Sequence, residues 1–247
     1  MGRQARKLSS SGFYHVMFRG INHQHLFEED RDYKEFLQSL QKLKDEMLFE
    51  IHAYCLMSNH VHLLMRENHP GDISQIMRRL LIKYVMYFNQ KYYRSGALIS
   101  NRYKSTTVEV DKYFVPLIRY IHQNPVKAGL AENLEVYQYS SYLEYLYGGN
   151  LIDTKMALEI IGKDQWKSFH QILEEGNFDI PDKTNISEAE IRKKIMQSTK
   201  GIEPHVIGSW PKMDRDAILK QLREKEGLSI RQIERATGIS RGIVAKC

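Results

Sequence analysis

Cysteine is nearly absent: the 247 residues contain two, Cys55 and Cys247. Two thiols cannot build the disulfide framework of a small secreted fold. Cys55 lies in an apolar run, where a small core residue is expected. Long apolar runs are also missing. No stretch reaches the ~18 residues that a membrane span requires, so no membrane partner is expected. The opening Met1-Gly-Arg-Gln-Ala-Arg-Lys is basic, but no apolar segment follows it as in a secretory signal. Arg6 fills the position where a lipidated Met-Gly start carries Ser or Thr. Together these absences predict a cytoplasmic protein. At 42% hydrophobic, the chain can bury one good core, or one core plus a smaller second one.

The net charge is +6, and its distribution is uneven. Residues 1–182 hold 22 basic and 22 acidic side chains, so residues 183–247, with 14 and 8, supply the whole excess. Within the neutral part, residues 66–130 carry 11 basic and 4 acidic groups, and residues 131–182 carry 3 and 10. A basic stretch suits a polyanionic partner, although solvated helix faces give the same count.

Hydrophobic periodicity predicts the order β-α-β-β-α-β. Strands are expected over 12–19, 49–56, 60–66 and 105–110, with a hairpin turn at Met57-Ser58-Asn59. A helix over 31–47 turns Tyr33, Phe36, Leu37, Leu40 and Leu43 to one face. A second helix, capped by Asp72 and running to about Tyr93, turns Ile73, Ile76, Met77, Leu80, Tyr84 and Phe88 inward. A following helix is expected from an Asp111 cap to Gln123, ending at Asn124-Pro125 because the residue before proline avoids helical geometry. That order predicts an α+β fold with a ferredoxin-like antiparallel sheet and helices on one face. The expected divisions are a first domain over 1–148, a helical connector over 149–182 around Trp166, and a helical domain over 183–247. In the last, Ser229 and Gln232 form a capping-box pattern, Gly238 ends a helix and Ser240 starts the next. This helix-turn-helix puts Arg241 and Lys246 on the second helix, where duplex DNA can be met; a structural helical hairpin has the same pattern.

The chemistry-bearing pattern is His60-Val61-His62 with Tyr120 and Asn124. In a strand, residues i and i+2 share a face, so both imidazoles can aim at one point while Val61 enters a core. In a helix, residues i and i+4 share a face, so the Tyr120 hydroxyl lies beside the Asn124 carboxamide. Both lie to one side of the stripe formed by Phe114, Leu117, Ile118 and Ile121. Two nitrogens and one oxygen could hold a metal beside a phenol, an arrangement suited to cutting and rejoining single-stranded DNA. A His-x-His pair alone is equally compatible with a structural role, and a second pair, His23-Gln-His25, reads as loop.

Several segments carry a family resemblance: Tyr14-His-Val-Met-Phe-Arg-Gly-Ile-Asn22, Met57-Ser-Asn-His-Val-His-Leu-Leu64, Arg102-Tyr-Lys104, the run from Arg119 through Tyr120 and Asn124-Pro125 to Leu130, and Ser140-Ser-Tyr142. In order and spacing, residues 8–146 resemble the single-tyrosine HUH transposases of insertion sequences, and among them the REP-associated tyrosine transposases. The resemblance implies a metal-dependent single-stranded DNA endonuclease and strand transferase that forms a 5′-phosphotyrosine intermediate at palindromic hairpins. It implies Tyr120 as nucleophile and His60, His62 and Asn124 as ligands of Mg²⁺ or Mn²⁺. Asn124 departs from the glutamine of related insertion-sequence enzymes. Arg19, Gly20 and Asn22 are candidates for reading nucleotides, and Arg102 and Lys104 for phosphate contact. A monomer or a homodimer fits equally. Two other functions compete. One is a DNA-binding regulator that keeps the fold without chemistry. The other is a rolling-circle initiator or relaxase, disfavoured because the histidine pair precedes the tyrosine and no second tyrosine stands beside Tyr120.

Overall fold

The computed structural model describes residues 8–100, 102–108, 110–174, 176, 178 and 188–247, with backbone alone at 110–112. The chain divides into two compact units, Met1–Ile180 and Pro181–Cys247.

The first unit follows the expected order: β1 (Phe13–Arg19), α1 (Asp30–Met47), β2 (Glu50–Leu56), β3 (His60–Arg66), α2 (Asp72–Lys91), β4 (Lys104–Thr107) and α3 (Val110–Lys127). The strands form one sheet in the order β2-β3-β1-β4, and every neighbouring pair is antiparallel. The Met57–Asn59 turn closes with Met57 N donating to His60 O at 2.8 Å.

Alternation sorts the side chains to two faces. On one face, Phe18 meets Phe36 of α1 at 5.9 Å between ring centroids, and Phe36 meets Tyr84 of α2 at 5.2 Å. All six inward residues read for α2 are buried. The opposite face is covered by α3, with Phe114 against Phe13 at 5.3 Å and His52 at 5.2 Å. The sheet is therefore sandwiched between α1/α2 and α3.

Three expectations need correction. Asp72 is the first residue of α2 and Gly71 occupies the cap position, at φ 98°; Asp72 still assists by accepting from His69 N. β4 ends at Thr107, and Val110 begins α3 one residue before Asp111, whose side chain lies outside the described set. The helix also does not stop at Asn124. It continues through Pro125 to Lys127. Proline removes the donor that Ile121 O would receive. The Asn124 side chain offers partial replacement, with Nδ2 donating to Tyr120 O at 2.9 Å and lying 3.5 Å from Ile121 O.

After α3 come α4 (Tyr142–Tyr147), α5 (Lys155–Ile161) and α6 (Trp166–Gln171). Leu151, Ile152, Ala157, Ile161 and the fully buried Trp166 join the same core as the sheet. This segment grips α3. Arg119 pairs with Glu174 through two bonds and lies over the Phe169 ring. Gln123 donates to the carbonyls of His170 and Ile172 and accepts from Glu174 N. His122 Nδ1 meets His170 Nε2 at 2.9 Å, and its Nε2 meets Ser141 Oγ at 2.8 Å.

The second unit holds α7 (Glu188–Ser198), α8 (Lys212–Glu224), α9 (Ile230–Thr237) and α10 (Arg241–Lys246) around Ile195, Ile207, Leu219, Leu222, Ile233 and Val244. Its punctuation is the one expected: a reciprocal Ser229–Gln232 capping box, Gly238 at φ 75° ending α9, and Ser240 preceding α10. No helix of the described residues is long and apolar enough to cross a membrane.

The buried histidine pair makes the first unit acid-sensitive. His170 Nδ1 faces the Trp166 carbonyl, which only accepts, so that nitrogen carries the proton. His170 Nε2 is then the acceptor for His122 Nδ1–H, and a charged ring would break this chain. Burial, countered by the Trp166 carbonyl and aided by Arg119, holds His170 down to about 4. Burial and His170 hold His122 well below the ordinary imidazole value. A folded-state value below the unfolded one gives stability that is present above about pH 6.5 and lost as pH falls toward 4. His170 alone accounts for a loss on the order of 3 kcal/mol. Thermal unfolding of the wild type is expected to drop more steeply between pH 7 and 4.5 than that of His170→Gln. Parallel curves would contradict the account.

Candidate active site

β3 is an interior strand, so His62 is fixed by ladders on both sides, and His60 by the β1 ladder and the turn bond from Met57 N. Both point to the face covered by α3, with ring centroids 5.2 Å apart at 85°. His62 is buried and His60 half-buried. The Asn59 Oδ1 accepts from His60 Nδ1 at 2.7 Å. That bond puts the proton of a neutral ring on Nδ1 and the lone pair on Nε2, the nitrogen through which such a tautomer would bind a metal. Burial first, then repulsion from His15 and His60, whose rings could not be charged beside a charged His62, and from Arg19, pushes His62 well below its ordinary value, so its ring is neutral.

Across the face, the Tyr120 ring lies 5.7 Å from His62 at 85°. Tyr120 is 6% exposed, more covered than a residue beside the stripe suggests. Its neighbours are His15 at 6.2 Å, Phe178 at 5.4 Å and the Lys127 ammonium at 5.4 Å from the ring centre. Asn124 follows one turn later. Because its Nδ2 is tied to the Tyr120 carbonyl, Oδ1 is the end of the carboxamide left for a cation. Among the described residues, no group of three or more His, Cys, Asp or Glu can hold a metal ion. Two imidazole nitrogens and an amide oxygen, with water or phosphate, are donor types that a divalent ion accepts.

Comparison with known proteins identifies the family. The sequence profile of the family "Transposase IS200 like" matches residues 9–124, a span that includes His60, His62, Tyr120 and Asn124. The Haemophilus influenzae protein named "Putative REP-associated tyrosine transposase" is 32% identical over 119 residues, covering 44% of this chain and 67% of that protein. The chain belongs to the IS200-like transposase family. A solved REP-associated tyrosine transposase bound to a REP hairpin superposes with a TM-score of 0.51 at 18% identity, over 62% of this chain and 94% of that one. The transposase is thus an enzyme acting on DNA, with the α+β fold of that structure.

The other expected residues fall in several places. Arg19 pairs with His60 in register, and Lys104 pairs with Met17, itself the partner of His62. Both therefore share the histidine face. Arg102 does not: it is exposed and lines a groove with Met77, Leu81 and Val85 of α2. The basic stretch is also less available than its count suggests. Arg66 pairs with Glu50, Arg79 with Glu46, Lys91 with Glu29 and Asp32, and Arg119 with Glu174. In the second unit Arg241 and Lys246 are exposed on α10, and Arg241 Nε donates to Glu234. Asn22 sits exposed in a left-handed conformation, at φ 50°.

Three residues were missed: His15, Lys127 and Arg119. The alternation of β1 would have placed His15 with Arg19 on one face, but only the β1–β3 register shows that this face also holds His62.

Gly20 has a steric role. A Cβ there would lie 2.0 Å from the Gln24 carbonyl oxygen. Its amide also bonds Asn59 O at 2.9 Å, and Leu26 N bonds Ser58 O at 2.7 Å. The loop after β1 is thereby fastened to the turn that precedes His60. Gly20→Ala is expected to cost about 1–3 kcal/mol by overpacking, read as a thermal midpoint several degrees lower. An unchanged midpoint would show that the loop yields freely.

Proposed function

We propose that this transposase cleaves and rejoins single-stranded DNA at palindromic hairpins, using Tyr120 as nucleophile and a divalent ion, Mg²⁺ or Mn²⁺, held by His60, His62 and Asn124. The observation that carries the proposal is the Tyr120 ring 5.7 Å from His62 within one chain. The neutral His62 and the Nδ1-protonated His60 support the metal assignment. The hairpin substrate draws on the REP hairpin bound in the solved relative.

The Tyr120 oxygen attacks phosphorus. An O–P bond forms to the phenolic oxygen and the P–O3′ bond breaks. The phenolic proton leaves, the 3′-oxygen takes one up, and the DNA 5′-phosphate remains esterified to Tyr120. In rejoining, a 3′-hydroxyl attacks that ester and releases the tyrosine. The bond is conserved, so no nucleotide cofactor is needed. A phenol with an ordinary value near ~10 needs assistance at neutral pH. The Lys127 ammonium, 5.4 Å from the ring centre, offers positive charge beside the attacking phenol. A bound divalent ion supplies Lewis-acid polarisation of the phosphate oxygens. Imidazole donors suit Mn²⁺ or Zn²⁺ better than Mg²⁺. Arg19 and Lys104, on the same face, are positioned for the DNA backbone, and Gly20 and Asn22 for flanking nucleotides. In the second unit, α9 and α10 are assigned to duplex DNA through Arg241 and Lys246.

The test is a denaturing-gel assay for a covalent protein–DNA adduct, using labelled single-stranded hairpin DNA with Mg²⁺ or Mn²⁺. A metal-dependent adduct is expected, lost in Tyr120→Phe and on chelation. DNA binding without an adduct would favour a regulator, and an adduct surviving in Tyr120→Phe would name another nucleophile.

A further inference from the structure

His15 is buried on the α3-facing side of β1, at 3% exposure. In the ladder Met17 pairs with His62, which makes His15 the diagonal neighbour of His62. Its Nε2 lies 3.0 Å from His62 Nδ1, and the two ring planes lie within 21° of each other with centroids 5.2 Å apart, so the rings meet edge to edge. The same ring stands 6.2 Å from Tyr120.

We propose that His15 is a positioning residue for the reaction: its Nε2 accepts the His62 Nδ1–H and so holds His62 in the tautomer and ring orientation that present Nε2 to a metal. This role rests on the metal site proposed above. One hydrogen lies between the two facing nitrogens. If His15 Nε2 held it, His62 Nδ1 would be bare, the neutral His62 ring would carry its proton on Nε2, and the lone pair aimed at a ligand would be lost. If His62 Nδ1 holds it, Nε2 stays open, and the buried N–H has the acceptor without which it would be left unpaired. His60 uses the Asn59 oxygen in the same way. The two histidines are thus set by two different partners, one on the adjacent strand and one in the turn before β3. Outer partners of this kind typically change metal affinity 10–100-fold when removed.

The alternative is a histidine pair that merely fills the core, and metal binding separates the two. Mn²⁺ affinity would be measured by the EPR signal of the free ion, with thermal midpoints confirming that each variant is folded. His15→Phe keeps a ring and removes the acceptor; it is expected to weaken Mn²⁺ binding at least 10-fold. His15→Gln restores an acceptor oxygen and is expected to recover most of that loss. A folded His15→Phe that binds within twofold of wild type overturns the proposal, as does a folded His15→Gln that is as weak as His15→Phe. His62→Ala is the control for the site itself. If it leaves Mn²⁺ binding unchanged, the metal assignment has failed and the role of His15 fails with it. Should His15→Phe not fold, imidazole ¹⁵N spectra of the wild type decide. The proposal requires a protonated Nδ1 on His62 and a bare Nε2 on His15, and the reverse pattern overturns it.

Discussion

The packing of α3 against the outer face of the sheet is the constraint on which the site depends. β3 fixes the direction of both histidines, because an interior strand cannot slip by one residue without turning its buried set to the other face. α3 covers the histidine face, with Phe114 against Phe13 at one end and Tyr120, six residues further on, against His62. The helix is held from behind by Arg119–Glu174, His122–His170 and the Gln123 contacts. The segment after the family match therefore holds the helix that carries Tyr120, and its Phe178 packs against the Tyr120 ring. The same arrangement explains why Tyr120 is buried while Asn124, at the more open end, is half-exposed.

Much of this was legible in the sequence, for physical reasons. Long helices with one apolar face, such as α2, show their inward residues directly, since burial on one side leaves a 3.6-residue period. The β2–β3 hairpin was marked by Ser58-Asn59 between two apolar runs. Where local rules met tertiary packing, packing won. Pro125 was expected to end α3, yet the helix continues, with the Asn124 amide turned back onto the helix carbonyls. That departure matters, because it ties Asn124 Nδ2 to the helix and turns Oδ1 away from those carbonyls. His15 was not legible as more than a core residue. A lone histidine among Phe13, Val16 and Phe18 gains meaning only from the register of β1 against β3, a pairing between distant parts of the chain. The grip on α3 was hidden for the same reason, since Arg119 and Glu174 meet only in the folded molecule.

Charge shows the limit of counting. The basic excess of residues 66–130 suited a polyanionic partner, but several of its members neutralise carboxylates of α1, β2 and the segment after α6. Arg19 and Lys104, which share the histidine face, matter more than the total. In the second unit the excess charge surrounds a small independent core, and its helix boundaries follow the Ser, Gly and Ser punctuation in the sequence.

The most direct test of the central claim is a diffraction experiment on crystals grown with Mn²⁺ and a single-stranded oligonucleotide, using the anomalous signal of manganese. The account predicts a manganese peak in the first unit, bounded by His60 Nε2, His62 Nε2 and Asn124 Oδ1, with the Tyr120 oxygen facing a DNA phosphate of the same site. A peak elsewhere, or His62 coordinating through Nδ1, would contradict it.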